Sequence, residues 1–318
     1  MALDFDRIRE AHDRIRPHIH LTPVLTSARL DAACGGRLHF KCENFQKAGA
    51  FKSRGAVNAV FSLSDAVARN GVATHSSGNH AAALARAAGL RSIPAHIVMP
   101  ANSLRAKVRA VEGYGGRIVF CAPNQTARET ACVGIVAQTG ATLVHPFENE
   151  DVMAGQGTVA LEFLEAVPDL DVLLCPVGGG GLLAGTAVAA KHLRPDIQVI
   201  AVEPALADDT AVSFRAGHLV PRPTQNTIAD GLRTLIGEPN LEIALRLVDD
   251  VVTVGEESIT AAMRLLWESL RIVVEPSAAV VYAAFLESRI PTSSRRFGLI
   301  LTGGNVDLDA LPWQPSRR

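Results

Sequence analysis

The chain has 318 residues, 48 % of them hydrophobic, with 31 basic against 32 acidic side chains and a formal net charge of −1. That length allows one large domain or two smaller ones around a substantial core, and so even a charge balance offers neither a nucleic-acid surface nor a single-sign tail. Five scattered cysteines, Cys34, Cys42, Cys121, Cys132 and Cys175, include no C-x-x-C pair; the odd number fits reduced thiols rather than a disulfide framework.

The N-terminal stretch MALDFDRIREAHDRIRP mixes charges with isolated apolar residues and lacks the apolar centre of a signal peptide. No run approaches the roughly 20 apolar residues that span a bilayer, so a soluble cytoplasmic protein is expected. Apolar, β-branched segments at 71–75, 95–100, 117–122, 142–147, 171–177, 198–204, 250–254 and 297–302 predict strands. Alanine-rich segments at 79–89, 103–115, 126–140 and 181–193 predict helices between them. Strands that are apolar throughout and alternate with helices imply parallel sheets covered on both faces, hence an α/β fold. Residues 205–240, poor in periodicity and rich in Pro, Asp and Gly, read as a functional loop region. No repeat, low-complexity tract or long linker is visible, and no regulatory domain is expected after residue 302.

Four short segments carry chemistry. AGAFKSRGA (48–56) sets Lys52 behind Phe51 in a run of small residues; by itself it fits a helix start with an outward lysine as well as a reactive amine. PVGGGGLLAG (176–185) puts four glycines between an apolar strand and a helix. Glycine lets backbone N–H groups approach an anion, and the helix N-terminus adds positive partial charge, so a phosphate is the natural ligand. Gly179, Gly181 and Ala184 also fit a loose G-x-G-x-x-A fingerprint, with Glu203 where a ribose-binding acid would stand. An NAD-binding oxidoreductase is therefore an alternative at this point. THSSGNHAAALA (74–85) gathers Ser76, Ser77, Asn79 and His80 before a helix, more polar groups than one N-cap requires and suited to a carboxylate. LTGGNVD (301–307) ends a strand on Thr302, whose hydroxyl suits a neutral ring nitrogen, although a plain turn fits equally.

A lysine, a phosphate cradle, a carboxylate loop and a ring-nitrogen partner together suit pyridoxal phosphate acting on an amino acid. The sequence resembles the fold-type II pyridoxal-phosphate enzymes, in the branch of the serine racemases and threonine/serine dehydratases. IHLTPVLTSARL (19–30), KCENFQKAGAFKSRGA (41–56), SSGNHA, AGQGTVALE (154–162), PVGGGGLLAG and TGGNVD follow the family's order over nearly the whole chain. The resemblance displaces the NAD reading. It implies Lys52 as the Schiff-base lysine and Phe51 against the pyridine ring. It implies Asn79 on the ring hydroxyl, Gly178, Gly179, Gly180 and Gly181 on the phosphate, and Thr302, where many relatives have serine, at the ring nitrogen. Ser76, Asn79 and His80 would bind the substrate carboxylate. The implied reaction is dehydration of a 3-hydroxy-L-amino acid to a 2-oxo acid and ammonia, with Lys52 as base.

Racemisation is the alternative. Ser77 stands where racemising relatives carry the second acid/base, whereas Phe147, in HPFENE (145–150), resembles the dehydratases. EPALADD (203–209) resembles the family's divalent-cation loop, which implies Glu203, Asp209 and the Ala207 carbonyl as ligands for Mg²⁺ or Ca²⁺. Glu275 resembles a family residue near the cofactor ring, with a supporting role. Arg128 matches an arginine where nucleotide-responsive relatives bind ATP, and as readily reads as a solvated helix residue. His75 and His145 stay open. The family implies a large domain of residues 1–70 and 149–318, a small mobile domain of 71–148, and a homodimer. A non-catalytic amino-acid sensor is a further alternative, which intact Lys52 and the glycine loop oppose.

Overall fold

In the computed structural model, which describes residues 3–76, 78–103, 105–222, 226–292 and 295–314, the apolar runs form strands divided between two sheets. The strands are β1 (Val24–Leu25), β2 (Arg37–Cys42), β3 (Val72–His75), β4 (Ala95–Pro100), β5 (Arg117–Cys121) and β6 (Thr142–Leu143), followed by β7 (Val172–Pro176), β8 (Gln198–Pro204), β9 (Asp250–Val254) and β10 (Arg296–Leu301). One sheet has the order β1-β2-β10-β7-β8-β9 and the other β5-β4-β3-β6. Every pairing is parallel except β1 with β2. Helices cover both sheets, as the buried apolar strands demand. The smaller sheet draws only on residues 72–143, and the larger is built from chain on either side of that span.

Several elements differ from expectation. β1 and β2 were not anticipated, because RLHFKC carries a charged or polar residue at every second position. The 117–122 segment is a strand, but an edge strand with Phe120 54 % exposed, so it is not covered on both faces. The 142–147 strand stops at Leu143 and the chain continues as a strap through Pro146, which has no N–H to give a ladder. The 205–240 region contains the helix Asp209–Ala216 in addition to loop. Among the described residues no helix is long and apolar enough to cross a membrane, and all five cysteines are free.

The helix Lys52–Ser62 crosses the helix Glu150–Ala166 at glycines: a Cβ on Gly155 would lie 2.6 Å from the Gly55 Cα. The long helix begins at Asn149, whose side chain accepts the Val152 N–H at 2.9 Å, and it carries Glu150 and Asp151 in its first turn, where negative charge suits the helix N-terminus. Beneath the Lys52 helix lies a buried ionic cluster. Arg54 Nε and Nη2 each donate to Glu43 at 2.8 Å, and Nη1 and Nη2 donate to the two Glu162 oxygens at 2.7 Å. Lys41 Nζ donates to Glu162 at 2.7 Å and to the Thr22 carbonyl at 2.9 Å. Burial alone would raise the Glu162 carboxyl, but hydrogen bonds and charge from Arg54 and Lys41 outweigh it and hold the group below its usual range. Glu162→Gln would leave two buried cations facing one carboxylate. It is expected to destabilise the protein by about 3–5 kcal/mol, the usual cost of breaking a buried pair, measured as a fall in the urea midpoint at unchanged slope.

Candidate active site

Four segments from distant parts of the chain converge at the start of the Lys52–Ser62 helix. The Phe51 N–H donates to the Thr302 carbonyl at 3.0 Å, Ala50 bridges Gly303, and the Gly304 N–H donates to the Gly49 carbonyl at 3.0 Å. The lysine segment is thereby stitched to the loop after β10. Phe51 places its ring 5.1 Å from Lys52 Nζ. Lys52 Nζ donates to the Pro146 carbonyl at 2.9 Å, on the strap that follows β6. Burial, with no carboxylate to offset it, lowers the Lys52 amine from 10.5 to about 8.

The glycine loop follows β7. Gly178, Gly179, Gly180 and Gly181 are all buried. Gly180 takes φ +87°, a conformation side chains disfavour, and caps the helix Gly181–Leu193. A Cβ on Gly179 would come within 2.3 Å of the Phe147 ring, so only glycine leaves room for the strap. The loop is fixed from outside by Asn240, whose Nδ2 donates to the Gly179 carbonyl at 2.6 Å and to the Phe147 carbonyl at 3.1 Å. The result is a helix N-terminus with free N–H groups at the end of a central strand, which fits a phosphate.

The third segment follows β3. Ser76 Oγ accepts the Gly78 N–H at 3.3 Å, and Asn79 and His80 open the helix Asn79–Leu90, whose first backbone N–H groups have no intrahelical partner. Ser77 lies outside the described residues. Asn79 Nδ2 donates to Glu275 Oε1 at 2.8 Å, and Asn79 Oδ1 accepts from Asn305 Nδ2 at 3.0 Å. Both amide atoms are thus oriented by residues at the edge of the other sheet. Thr302, 4 % exposed, is the first residue after β10. Burial, reinforced by the charge of Asp230, raises the Glu275 carboxyl to about 8. Lys107, on the helix Arg105–Gly113, pairs with Asp230, a second tie between the two sheets' surroundings.

Three imidazoles lie close together beside these segments. His75 and His145 meet edge to face at 5.2 Å, and His145 meets Phe147 likewise at 4.6 Å. His80 sits at 2 % exposure with Nε2 3.2 Å from the Val144 carbonyl. Burial, then the charge of Lys52, lowers His80 to about 3; burial, then His75 and Lys52, lowers His145 to about 4. All are neutral near pH 7. Sequence reasoning left His75 and His145 open and missed Asn240 and Asn305 as supports; neither asparagine has a local signal, since their partners lie 61 and 226 residues away.

Glu203, Ala207 and Asp209 are buried at 1 %, 4 % and 3 % exposure. Glu203 accepts the Ala211 N–H at 2.7 Å and the Thr210 N–H at 3.3 Å, and Asp209 accepts the Ile236 N–H at 2.7 Å. Those bonds turn Glu203 toward its own following helix, away from any ribose on the glycine loop. Burial raises Glu203 to about 8 and Asp209 to about 6, and each is held up further by a neighbouring aspartate, Asp209 and Asp208 respectively.

The chain is similar to known proteins over nearly its whole length. The family model described as pyridoxal-phosphate dependent enzyme matches residues 15–303. A serine racemase of Oryza sativa is 49 % identical, over 98 % of this chain and 94 % of that protein. A β-hydroxyaspartate dehydratase of Paracoccus denitrificans is 47 % identical, over 97 % of this chain and 98 % of that protein. The solved structure of maize serine racemase superposes with a TM-score of 0.95 at 48 % identity, over 97 % of this chain and 95 % of that one.

In cofactor-free protein, the lowered Lys52 amine should be half-acylated near pH 8, not 10.5, read by mass spectrometry across a pH series. The sign of the linkage is set by the depressed value: the contribution to stability is full above pH 10.5 and is lost as the pH falls through 8. Lys52→Met should remove that part of the pH dependence of unfolding.

Proposed function

We propose that this chain, which belongs to the pyridoxal-phosphate dependent enzymes, is an ammonia-lyase that dehydrates a 3-hydroxy-L-amino acid of the serine, threonine or 3-hydroxyaspartate type. The products are a 2-oxo acid and ammonia. The observation that carries the reading is Lys52: an amine lowered to about 8 by burial, at the meeting point of a phosphate-type glycine loop and a carboxylate-type helix N-terminus. The likeness to a β-hydroxyaspartate dehydratase supports it.

Bound in this cleft, pyridoxal phosphate supplies an aldehyde for Lys52 and an electron sink for the substrate α-carbon. Gly178–Gly181 and the helix they open would hold its phosphate, Phe51 would lie along its ring, and Thr302 would face its ring nitrogen. Asn79, steadied by Glu275 and Asn305, would present its remaining amide hydrogen to the ring hydroxyl. A neutral hydroxyl at Thr302 cannot protonate the ring nitrogen, which favours elimination over transamination. The main-chain N–H groups of Asn79 and His80, with Ser76, would hold the substrate carboxylate. Lys52, a large fraction of it uncharged near pH 8, would take the α-proton. Residues 71–148 would form a small unit that closes on substrate and excludes water, with Lys107–Asp230 and Asn79–Glu275 as closing contacts.

Racemisation is the second reading, favoured by the 49 % identity to a serine racemase; Ser77 would act on the opposite face of the α-carbon. A panel of 3-hydroxy amino acids, both enantiomers of each, assayed for 2-oxo acid and for residual chirality, decides. The lyase reading expects 2-oxo acid from at least one L-substrate and none with Lys52→Ala; inversion without 2-oxo acid would transfer the assignment to racemisation. Where both activities occur, Ser77→Ala should lose inversion and keep elimination.

The carboxylates of Glu203 and Asp209 are buried with no basic side chain donating to them among the described hydrogen bonds. Their raised values are the cost of that isolation, and a hard divalent cation, with the Ala207 carbonyl as a further oxygen ligand, would relieve it. Mg²⁺ or Ca²⁺ should raise the melting temperature of the wild type and leave that of Glu203→Gln, Asp209→Asn unchanged. A homodimer in the cytoplasm completes the proposal, in line with free thiols throughout.

A further inference from the structure

His80 was expected to bind substrate, but its ring has another disposition. Nε2 faces the Val144 carbonyl at 3.2 Å, so Nε2 carries the proton and Nδ1 a bare lone pair. A lone pair cannot hold a carboxylate. Nδ1 is buried and has no hydrogen-bond partner, an exception that calls for a donor.

The strap beside it shows where a donor is. The Val144 N–H donates to the Ala73 carbonyl at 2.8 Å, so the chain leaves β6 still extended. Val144 and Pro146 are two residues apart, so their carbonyls lie no more than about 7 Å from each other even though the chain bends at Pro146. One carbonyl holds His80 and the other holds Lys52 Nζ at 2.9 Å. We propose that His80 is a positioning residue for Lys52: its Nδ1 lone pair is the second acceptor, beside the Pro146 carbonyl, for the two N–H bonds of the uncharged amine, and so aims the amine lone pair at the substrate α-carbon.

The inference rests on the lyase reading, in which Lys52 is the base. In this structure Nζ donates to the Pro146 carbonyl and Nδ1 is unpartnered; once Nδ1 takes the second N–H, one direction is left for the nitrogen lone pair. When the α-carbon–hydrogen bond breaks, its electron pair stays with the substrate and the proton forms the third N–H of an ammonium. The same two acceptors then stabilise that ammonium. The ring must be neutral for this, and it is: burial lowers it first, the positive charge that Lys52, His145 and His75, the titratable groups facing it, carry when protonated lowers it further, and the Val144 carbonyl opposes them only in part.

Two substitutions separate the two ring nitrogens. His80→Gln keeps a donor for the Val144 carbonyl and has no acceptor at the Nδ1 place; His80→Asn puts an amide at the Nδ1 place and leaves Val144 unpaired. For His80→Gln, kcat should fall about 100-fold with KM changed less than about threefold, and His80→Asn should recover to within about 10-fold of wild type, since misaimed reacting groups cost on this scale. In cofactor-free protein, an acceptor favours the ammonium, so the acylation midpoint of Lys52 should move down in His80→Gln and stay near the wild-type value in His80→Asn. Wild-type kcat and midpoint in His80→Gln would overturn the proposal, as would equal losses in both variants with an unmoved midpoint. Failure of the lyase reading looks different: the wild type itself would give no 2-oxo acid, while the acylation series would still report on Lys52 and His80.

Discussion

The pairing of Arg54 with Glu43 and Glu162 is the contact on which the rest of the molecule depends. Arg54 is wholly buried, and its guanidinium is held in two forks, one to the turn after β2 and one to the helix Glu150–Ala166. Lys41, on β2, completes a cluster of two cations and two anions. Such groups are costly to bury and persist only when every charge is matched. The match fixes the helix that begins at Lys52, two residues before Arg54, against the larger sheet and the long helix at once. Gly55 and Gly155 then let those helices approach to backbone contact. A reactive lysine needs a rigid base of this kind, because a misplacement of about 1 Å costs far more rate than stability.

The same cluster shows how two buried lysines acquire different characters. Lys41 has Glu162 at 2.7 Å and is an ion-pair cation. Lys52 has a neutral carbonyl, a phenylalanine ring and two uncharged imidazoles, His80 and His145, around it. With burial uncompensated, its amine titrates near 8, in the range where a base is both available and strong. The strap from Val144 to Glu148 supplies much of this setting: it gives a carbonyl to His80, another to Lys52, and a ring that covers Gly179. A strand continued to residue 147 could not have done so, since its carbonyls would be committed to a neighbour.

The two sheets' surroundings meet through an apolar seam, in which Val57 and Val60 cluster with Val72, Ala81 and Leu84, and through polar contacts, Asn79 with Glu275 and Asn305, and Lys107 with Asp230. The polar contacts are the ones that can be remade as partners shift. That suits a cleft which must admit an amino acid and then exclude water.

Much of this was legible in order along the chain. The spans 95–100, 198–204 and 250–254 are strands as the apolar runs predict, and the helix 181–193 has its predicted bounds, because each signal is a local periodicity. The glycine loop and the lysine segment stand out for the same reason: each is a run of consecutive residues. β2 was hidden because a buried Lys41 looks like a surface residue until Glu162, 121 residues away, is placed against it. The tautomer of the His80 ring is not legible in the sequence, which shows a histidine and not which nitrogen meets Val144. Residue types and short-range spacing set which chemistry the chain carries. Which lysine is buried without a carboxylate, which imidazole stays neutral and which carbonyl each meets depend on burial and on partners brought from far along the chain, and only the folded arrangement decides those.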